Sequence, residues 1–248
     1  MKISIITVCF NSAGTIADTI RSVAGQTYPD VEHIIVDGAS TDDTVAVVRN
    51  LPSRVSQVVS EPDAGIYDAM NKGLRLATGE LVGFLNSDDY YADPSVLSDV
   101  AATCRAAAAD FVYGDIRMVN AAGRTVRDWK TGEVARSGLS GSQIPHPSLF
   151  VRKQVLDAIS PPFDPKYRIA SDLKQQLIFI NKHGARGAYL ARPLVIMRMG
   201  GASTGSLSSY LAGWRESALV YNEVFGSGGM WYTTKKVLSK VRSLRKLA

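Results

Sequence analysis

The sequence predicts an α/β fold carrying a doubly wound, mostly parallel sheet, and three features predict it. Apolar runs of strand length alternate with amphipathic segments through the first hundred residues. The runs are continuous rather than alternating, as strands covered on both faces must be. Polar residues collect where the runs end, the edge at which open parallel sheets hold ligands. Residues 3–8 are the first such run, and Asn11-Ser12 offers a cap for a helix reaching about residue 24. Residues 31–36 repeat the strand pattern and end at Asp37-Gly38, with residues 40–43 opening a second helix. Residues 55–59 read as a third strand, 65–77 as a third helix closed by Gly79, and 81–85 as a fourth strand. Asn11, Asp37, Pro62-Asp63 and Asn86 to Asp89 then fall at one edge.

The second half is less regular. A helix is expected over 94–109, a strand over 111–117, a turn at 120–123 and a Gly-rich loop region over 125–142. Residues 152–158 and 171–183 read as helices, 187–190 and 194–197 as short strands, and 207–224 as a long helix. Gly226-Ser227-Gly228-Gly229 reads as a flexible hinge.

Charge separates the tail from the rest. The 248 residues carry a formal +5, yet residues 230–248 hold six basic residues (Lys235, Lys236, Lys240, Arg242, Arg245, Lys246) and no acid. The remainder, with 22 basic and 23 acidic residues, is nearly neutral. Val237, Leu238, Val241 and Leu244 recur in the tail at helical spacing. Such a helix suits an anionic membrane surface, or docks its stripe on protein. No base-stacking motif accompanies the charge, which disfavours nucleic acid. Residues 1–10 are too short and unflanked for a signal peptide, and no apolar run is long enough to span a bilayer. The expected location is therefore cytoplasmic, with the tail at the inner face of the membrane. Cys9 and Cys104 have no metal or redox spacing and read as buried thiols.

The richest chemistry lies in Phe84-Leu85-Asn86-Ser87-Asp88-Asp89, where an apolar run feeds two adjacent carboxylates. Mg²⁺ or Mn²⁺ takes oxygen ligands from one or two carboxylates plus substrate phosphates; the competing reading is a cap for the following helix. Neither G-x-G-x-x-G nor a P-loop follows the first strand. Asp37 at the second strand's end can accept a hydrogen bond from a base N–H or a ribose hydroxyl, or cap the next helix.

Ile6-Thr7-Val8-Cys9-Phe10-Asn11, Ile35-Val36-Asp37-Gly38-Ala39-Ser40-Thr41-Asp42-Asp43-Thr44, the segment from Glu61 to Gly73, and Asn86-Ser87-Asp88-Asp89 stand in the order found in family 2 glycosyltransferases of the GT-A fold. The chain resembles the short members that build capsular, exopolysaccharide or lipopolysaccharide units, including the colanic acid type. The resemblance covers about the first hundred residues and implies a division at 1–226: a nucleotide-sugar half (1–100) and an acceptor half (101–226), followed by hinge and basic amphipathic tail (227–248). It implies that Thr7 and Asn11 contact the nucleotide, Asp37 reads the base, Asp63 lines the donor site, Asp88 meets ribose and Asp89 ligates Mn²⁺ or Mg²⁺. Many relatives place Arg where this chain has Met70, and Lys72 is the candidate substitute. The donor is expected to be a nucleotide-diphosphate sugar, UDP-linked by default, and the acceptor a glycan or lipid-linked hydroxyl.

Family 2 enzymes are generally inverting, which needs one carboxylate to take the acceptor's proton. Tyr167-Arg168-Ile169-Ala170-Ser171-Asp172 resembles the segment that delivers it, making Asp172 the expected base, with a helix N-terminal carboxylate as the structural alternative and Asp164 as the fallback. His146, in Gln143-Ile144-Pro145-His146-Pro147-Ser148, is expected near the acceptor or the diphosphate. Two other functions compete. A sugar-1-phosphate nucleotidyltransferase needs a Gly-rich, Arg-Lys-bearing loop that Thr7 to Ser12 does not provide, and a non-catalytic membrane scaffold has no need of Asp37, Asp88, Asp89 and Asp172.

Overall fold

A computed structural model describes residues 1–135, 137–199 and 207–244. Four parallel strands, β1 (Ile3–Cys9), β2 (Val31–Asp37), β3 (Val55–Ser60) and β4 (Leu81–Phe84), form one half of a sheet ordered β3-β2-β1-β4. The sheet continues through β8 (Leu149–Arg152), β6 (Phe111–Val119), β9 (Gly187–Arg198) and β5 (Tyr90–Tyr91), with β7 (Thr125–Trp129) paired to β6. Every residue of β1 is buried, as its unbroken apolar run requires.

The period of two along each strand divides the core between the faces. Ile6, Val8, Ile34 and Val36 face α3 (Ile66–Leu76) and the helices that follow it in the second half. Ile3 and Ile5 pack beneath α4 (Val96–Ala106), and Cys9, Ile16, Ile20, Ile35 and Val48 form a third cluster with α1 (Ile16–Ala24) and α2 (Thr44–Asn50). Helix α3 approaches so closely that a Cβ on Gly73 would lie 2.4 Å from Ile6 Cγ2, which restricts this helix-on-strand position to glycine. Both cysteines are buried and free.

The second half departs from expectation in several places. Strand β8 runs antiparallel between β4 and β6, pairing Val82 with Val151 and Val112 with Phe150, where only a polar cluster and the start of a helix were expected. Residues 125–129 are strand rather than loop because β6 supplies an antiparallel partner. The two short strands are one, β9. Pro193, which cannot donate to the ladder, is absorbed by register shifts around Asp115. After α5 (Lys153–Asp157), α6 (Ser171–Gln176) continues into a π-helical turn over Leu177–Lys182, in line with the expected helix.

The glycine hinge is an ordered turn between α7 (Leu207–Phe225) and α8 (Gly229–Leu244). Gly226 and Gly228 have φ of 86° and 91°, the left-handed region that favours glycine. Asn222 accepts the N–H of Gly226 on its carbonyl at 2.7 Å and that of Gly229 on Oδ1 at 2.8 Å. Helix α8 folds back so that Tyr232 is buried and stacks on Tyr221. Met230, Trp231 and Leu238 remain exposed. Arg245 and Lys246 lie outside the described residues, as do the side chains of Lys240, Val241, Arg242 and Leu244. No helix among the described residues is long and apolar enough to cross a membrane.

At the sheet end opposite the strand termini, Glu32 is held by Lys2 at 2.6 Å, by the Ser4 hydroxyl at 2.5 Å and by the Thr78 N–H at 2.6 Å. Burial pushes its carboxyl up, but these donors outweigh burial and hold it down at about 2 against an ordinary 4.5. A depressed carboxylate stabilises the fold fully above its unfolded value and loses that contribution as pH falls through the folded one. Glu32→Gln is therefore expected to cost about 2–3 kcal/mol at neutral pH. The difference should vanish as pH drops from about 4.5 to about 2, read by urea melts across that range.

Candidate active site

The carboxyl ends of the parallel strands β1 to β4 share one edge of the sheet. Asp37 closes β2 and is buried, with one oxygen accepting the Ser40 N–H at 3.0 Å and the Ser60 hydroxyl at 2.7 Å and the other accepting the Ser40 hydroxyl. Burial pushes its carboxyl up, and these donors more than reverse that. Asn11 does not cap α1. It sits at φ 49°, donates its N–H to Ser40 Oγ at 2.8 Å and accepts the Thr41 N–H at 2.9 Å, stitching the loop after β1 to the loop after β2. Ala39, also left-handed at φ 61°, adds strain of about 1–2 kcal/mol in the same loop. Asp63 accepts the Gly65 N–H at 2.8 Å, and a Cβ on Gly38 would lie 2.5 Å from its Oδ2, so glycine at 38 lets the Asp63 carboxylate pack against the backbone just after β2.

Two expected donor contacts are placed elsewhere. Thr7 is fully buried, its hydroxyl 3.0 Å from His33 Nε2 inside the sheet, so its side chain does not reach the surface. Lys72 is engaged with Glu61 at 2.9 Å and the Pro62 carbonyl at 2.8 Å, bracing the start of α3 instead of standing free for a phosphate. Met70 is core.

The acidic turn after β4 is locked from three sides. Asn86 Nδ2 donates to Asp89 Oδ2 at 3.0 Å, and the Thr19 hydroxyl of α1 to the Asp89 carbonyl at 2.7 Å. Arg198, at the end of β9, gives its backbone N–H to Asp89 Oδ1 at 3.3 Å and its guanidinium to the Asp88 carbonyl at 2.9 Å and to Asp18 at 2.6 Å. The register explains this meeting: Tyr90 pairs with Ile196 antiparallel, so continuing the ladder sets residue 88 opposite residue 198. Asp89 is buried and Asp88 half-buried. Burial, and then the negative charge of Asp88, push the Asp89 carboxyl up; burial also raises Asp88. Two adjacent carboxylates this short of counter-charge fit a divalent cation. No group of three His, Cys, Asp or Glu side chains among the described residues is placed to hold a metal, so phosphate oxygens or water must complete any such shell.

A wall of rings joins this turn to the second half. Phe84 lies 5.1 Å from His146 and 5.1 Å edge-on to Phe163, which stacks on Tyr67 at 5.8 Å. Asn71 on α3 bonds the Phe163 backbone reciprocally, donating at 2.7 Å and accepting at 3.0 Å. The Tyr67 hydroxyl reaches the Ile169 carbonyl at 2.7 Å and Asp172 Oδ1 at 3.3 Å. Asp172 also accepts its neighbour's N–H from Leu173 at 2.8 Å and, on Oδ2, the side-chain amide of Gln143 at 2.7 Å. Glu216 of α7 positions the approach to α6 by accepting the N–H groups of Arg168, Ile169 and Ala170 at 2.8–3.1 Å. His146 is held neutral by burial, and both its ring nitrogens are buried without a partner among the described residues. Asp164 is paired with Lys174 at 2.6 Å, which leaves it poorly suited to the fallback role.

Sequence reasoning missed Arg198, Glu216 and the link from Gln143 to Asp172. Gln143 stands in a conspicuous polar cluster, but Arg198 and Glu216 carry no local signal.

The architecture is that of an open α/β sheet with an acid-lined carboxyl edge, the edge at which such sheets hold ligands. The family model for glycosyl transferase family 2 matches residues 4–159. A PGL/p-HBAD biosynthesis glycosyltransferase of Mycobacterium bovis is 34% identical over 174 residues, 68% of this chain and 66% of that protein. An uncharacterized glycosyltransferase of Mycobacterium tuberculosis is 41% identical over 97 residues, 39% of this chain, and that match spans only 37% of the relative's length. Among solved structures, Staphylococcus aureus TarS 1–349 in complex with UDP superposes with TM-score 0.70 at 25% identity, covering 90% of this chain and 66% of that one. The mannosyltransferase PcManGT of Pyrobaculum calidifontis, in complex with GDP-Man and Mn²⁺, superposes with TM-score 0.70 at 17% identity, covering 98% and 75%. The chain belongs to glycosyltransferase family 2, and its fold is GT-A.

Proposed function

We propose that the protein is an inverting glycosyltransferase. It moves a sugar from a nucleotide-diphosphate donor to a hydroxyl of a glycan or lipid-linked acceptor in cell-surface polysaccharide synthesis. The observation that carries this reading is Asp172, a half-buried carboxylate held by three donors and joined through the Tyr67, Phe163, His146 and Phe84 rings to the acidic turn. In the proposed step the acceptor oxygen attacks the anomeric carbon, the bond to the diphosphate breaks, and the hydroxyl proton passes to Asp172. Asp37, Asn11 and Asp63 frame the base and ribose, and Asp88 takes the ribose side. A donor group reaching Asp37 replaces one of the serine hydroxyls it now holds. His146, a neutral imidazole with one donor and one acceptor nitrogen, serves the acceptor or the diphosphate.

Asp89, with Asp88 beside it, would hold Mn²⁺ or Mg²⁺, which supplies charge neutralisation at the leaving diphosphate. Support comes from the shortage of counter-charge at this pair and from the Mn²⁺ bound with GDP-Man in the Pyrobaculum neighbour. The UDP complex of TarS supports a UDP-linked donor as the first to test. We further propose that the α7–α8 hairpin rests on the anionic inner face of the membrane. Exposed Leu219, Met230, Trp231 and Leu238 beside the basic tail support it.

Three outcomes test these assignments. UDP or GDP is expected to raise the melting temperature more with Mn²⁺ than without, and Asp89→Asn should erase the metal-dependent part; equal shifts in both proteins would remove Asp89 from metal binding. Asp172→Asn should fold and bind the nucleotide as before while transfer falls by about 10²–10⁴-fold, the range of a lost general base, so retained transfer would exclude Asp172. In flotation assays Met230→Glu with Trp231→Glu should release the protein from vesicles containing phosphatidylserine, and undiminished binding would refute the membrane surface.

A further inference from the structure

We infer that Lys236, on the C-terminal helix, is a positioning residue for Asp172 and acts through the side-chain amide of Gln143. The inference rests on the reading of Asp172 as the base. Lys236 Nζ donates to Gln143 Oε1 at 2.7 Å, and Gln143 Nε2 donates to Asp172 Oδ2 at 2.7 Å. A carboxamide accepts at one end and donates at the other. Rotating it by half a turn would set its oxygen against the carboxylate and its NH₂ against the ammonium, two repulsions in place of two charge-assisted bonds. Lys236 and Asp172 together fix this orientation, and Lys236 holds the amide within reach of the carboxylate.

The surroundings leave the amide rotamer as the variable that Lys236 controls. The backbone beside Gln143 is already fixed. Tyr232 donates its hydroxyl to the Ser142 carbonyl, and Gln176 of α6 bonds Ile144 twice, accepting its N–H at 3.0 Å and donating to its carbonyl at 2.9 Å. Lys236 is itself steadied by Ser217 of α7 at 3.1 Å. Among the described residues Tyr67 of α3 also donates to Asp172, and His146 of the turn before β8 and Tyr232 of α8 lie within range of its charge, as Tyr67 does of that of Glu216 on α7. Docking of α8 and presentation of a donor to the base are therefore one event, although α8 is remote in sequence from both Gln143 and Asp172.

The test is the ¹⁵N–¹H spectrum of the Gln143 side-chain amide in the full-length protein, assigned by its disappearance in Gln143→Leu. One amide proton is expected downfield, where a charged acceptor puts it, and should move upfield in Asp172→Asn. Lys236→Met keeps the length and apolar stem of the side chain and removes the donor; the downfield proton should be lost. Lys236→Arg, which restores a cationic donor, should bring it back. Persistence of the signal in Lys236→Met, or its absence in Lys236→Arg, overturns the inference. So does loss of the Tyr221–Tyr232 ring contact in Lys236→Met, since Lys236 would then be a packing residue. Transfer by Asp172→Asn decides separately whether Asp172 is the base, so either reading can fail without the other.

Discussion

Burying one carboxylate and half-burying its neighbour at the end of a sheet strand is the constraint around which the molecule is arranged. Removing an unpaired charge from water costs several kcal/mol, and a second like charge beside it raises the cost. The fold answers from three directions. Asn86 donates from within the turn, Thr19 fixes it from α1, and Arg198 arrives from a strand more than a hundred residues later. None of these supplies a full counter-charge, since the Arg198 guanidinium is spent on a backbone carbonyl and on Asp18. The turn is therefore rigid in shape yet deficient in positive charge, a combination that favours a ligand bringing cation and phosphate together.

The second half is organised by a different device, a chain of side chains that each settle the orientation of the next. Glu216 gathers three backbone N–H groups ahead of α6, Tyr67 and Gln143 hold the two oxygens of Asp172, and α8 closes over the segment that carries Gln143. Helix α3 belongs to both halves. Its Gly73 face lies against β1, while Asn71 and Tyr67 on the same helix hold Phe163 and Asp172.

Much of this was legible in the sequence, and the reason is locality. The strands β1 to β4, the helices between them and the polar edge follow from runs and periodicities that each segment carries alone. The acidic turn was legible because carboxylates after an apolar run contradict the pattern around them. Strand β8 was not, because its four residues became a strand only by finding β4 and β6 on either side. Pro193 made β9 read as two strands, since the bulge that accommodates it depends on the facing strand. Thr7 and Lys72 were misplaced for a related reason. A motif gives the position of a residue along the chain, but the face of the strand and the nearest counter-charge decide where its side chain goes.

Strand β8 divides the second half into parts with different freedom. Lying between β4 and β6, it carries the turn that contains His146 and fixes that ring against Phe84 of the first half. The segment between β6 and Gln143 is tied down by β7, by Thr131 and Val134 against β6, and by Leu139 in the core. Its outer part, the turn at 120–124 and the mostly exposed β7, can change in length and composition without shifting the sheet beneath. The chain thus has a built-in place where its surface can diverge while the sheet and the side chains it positions are inherited intact.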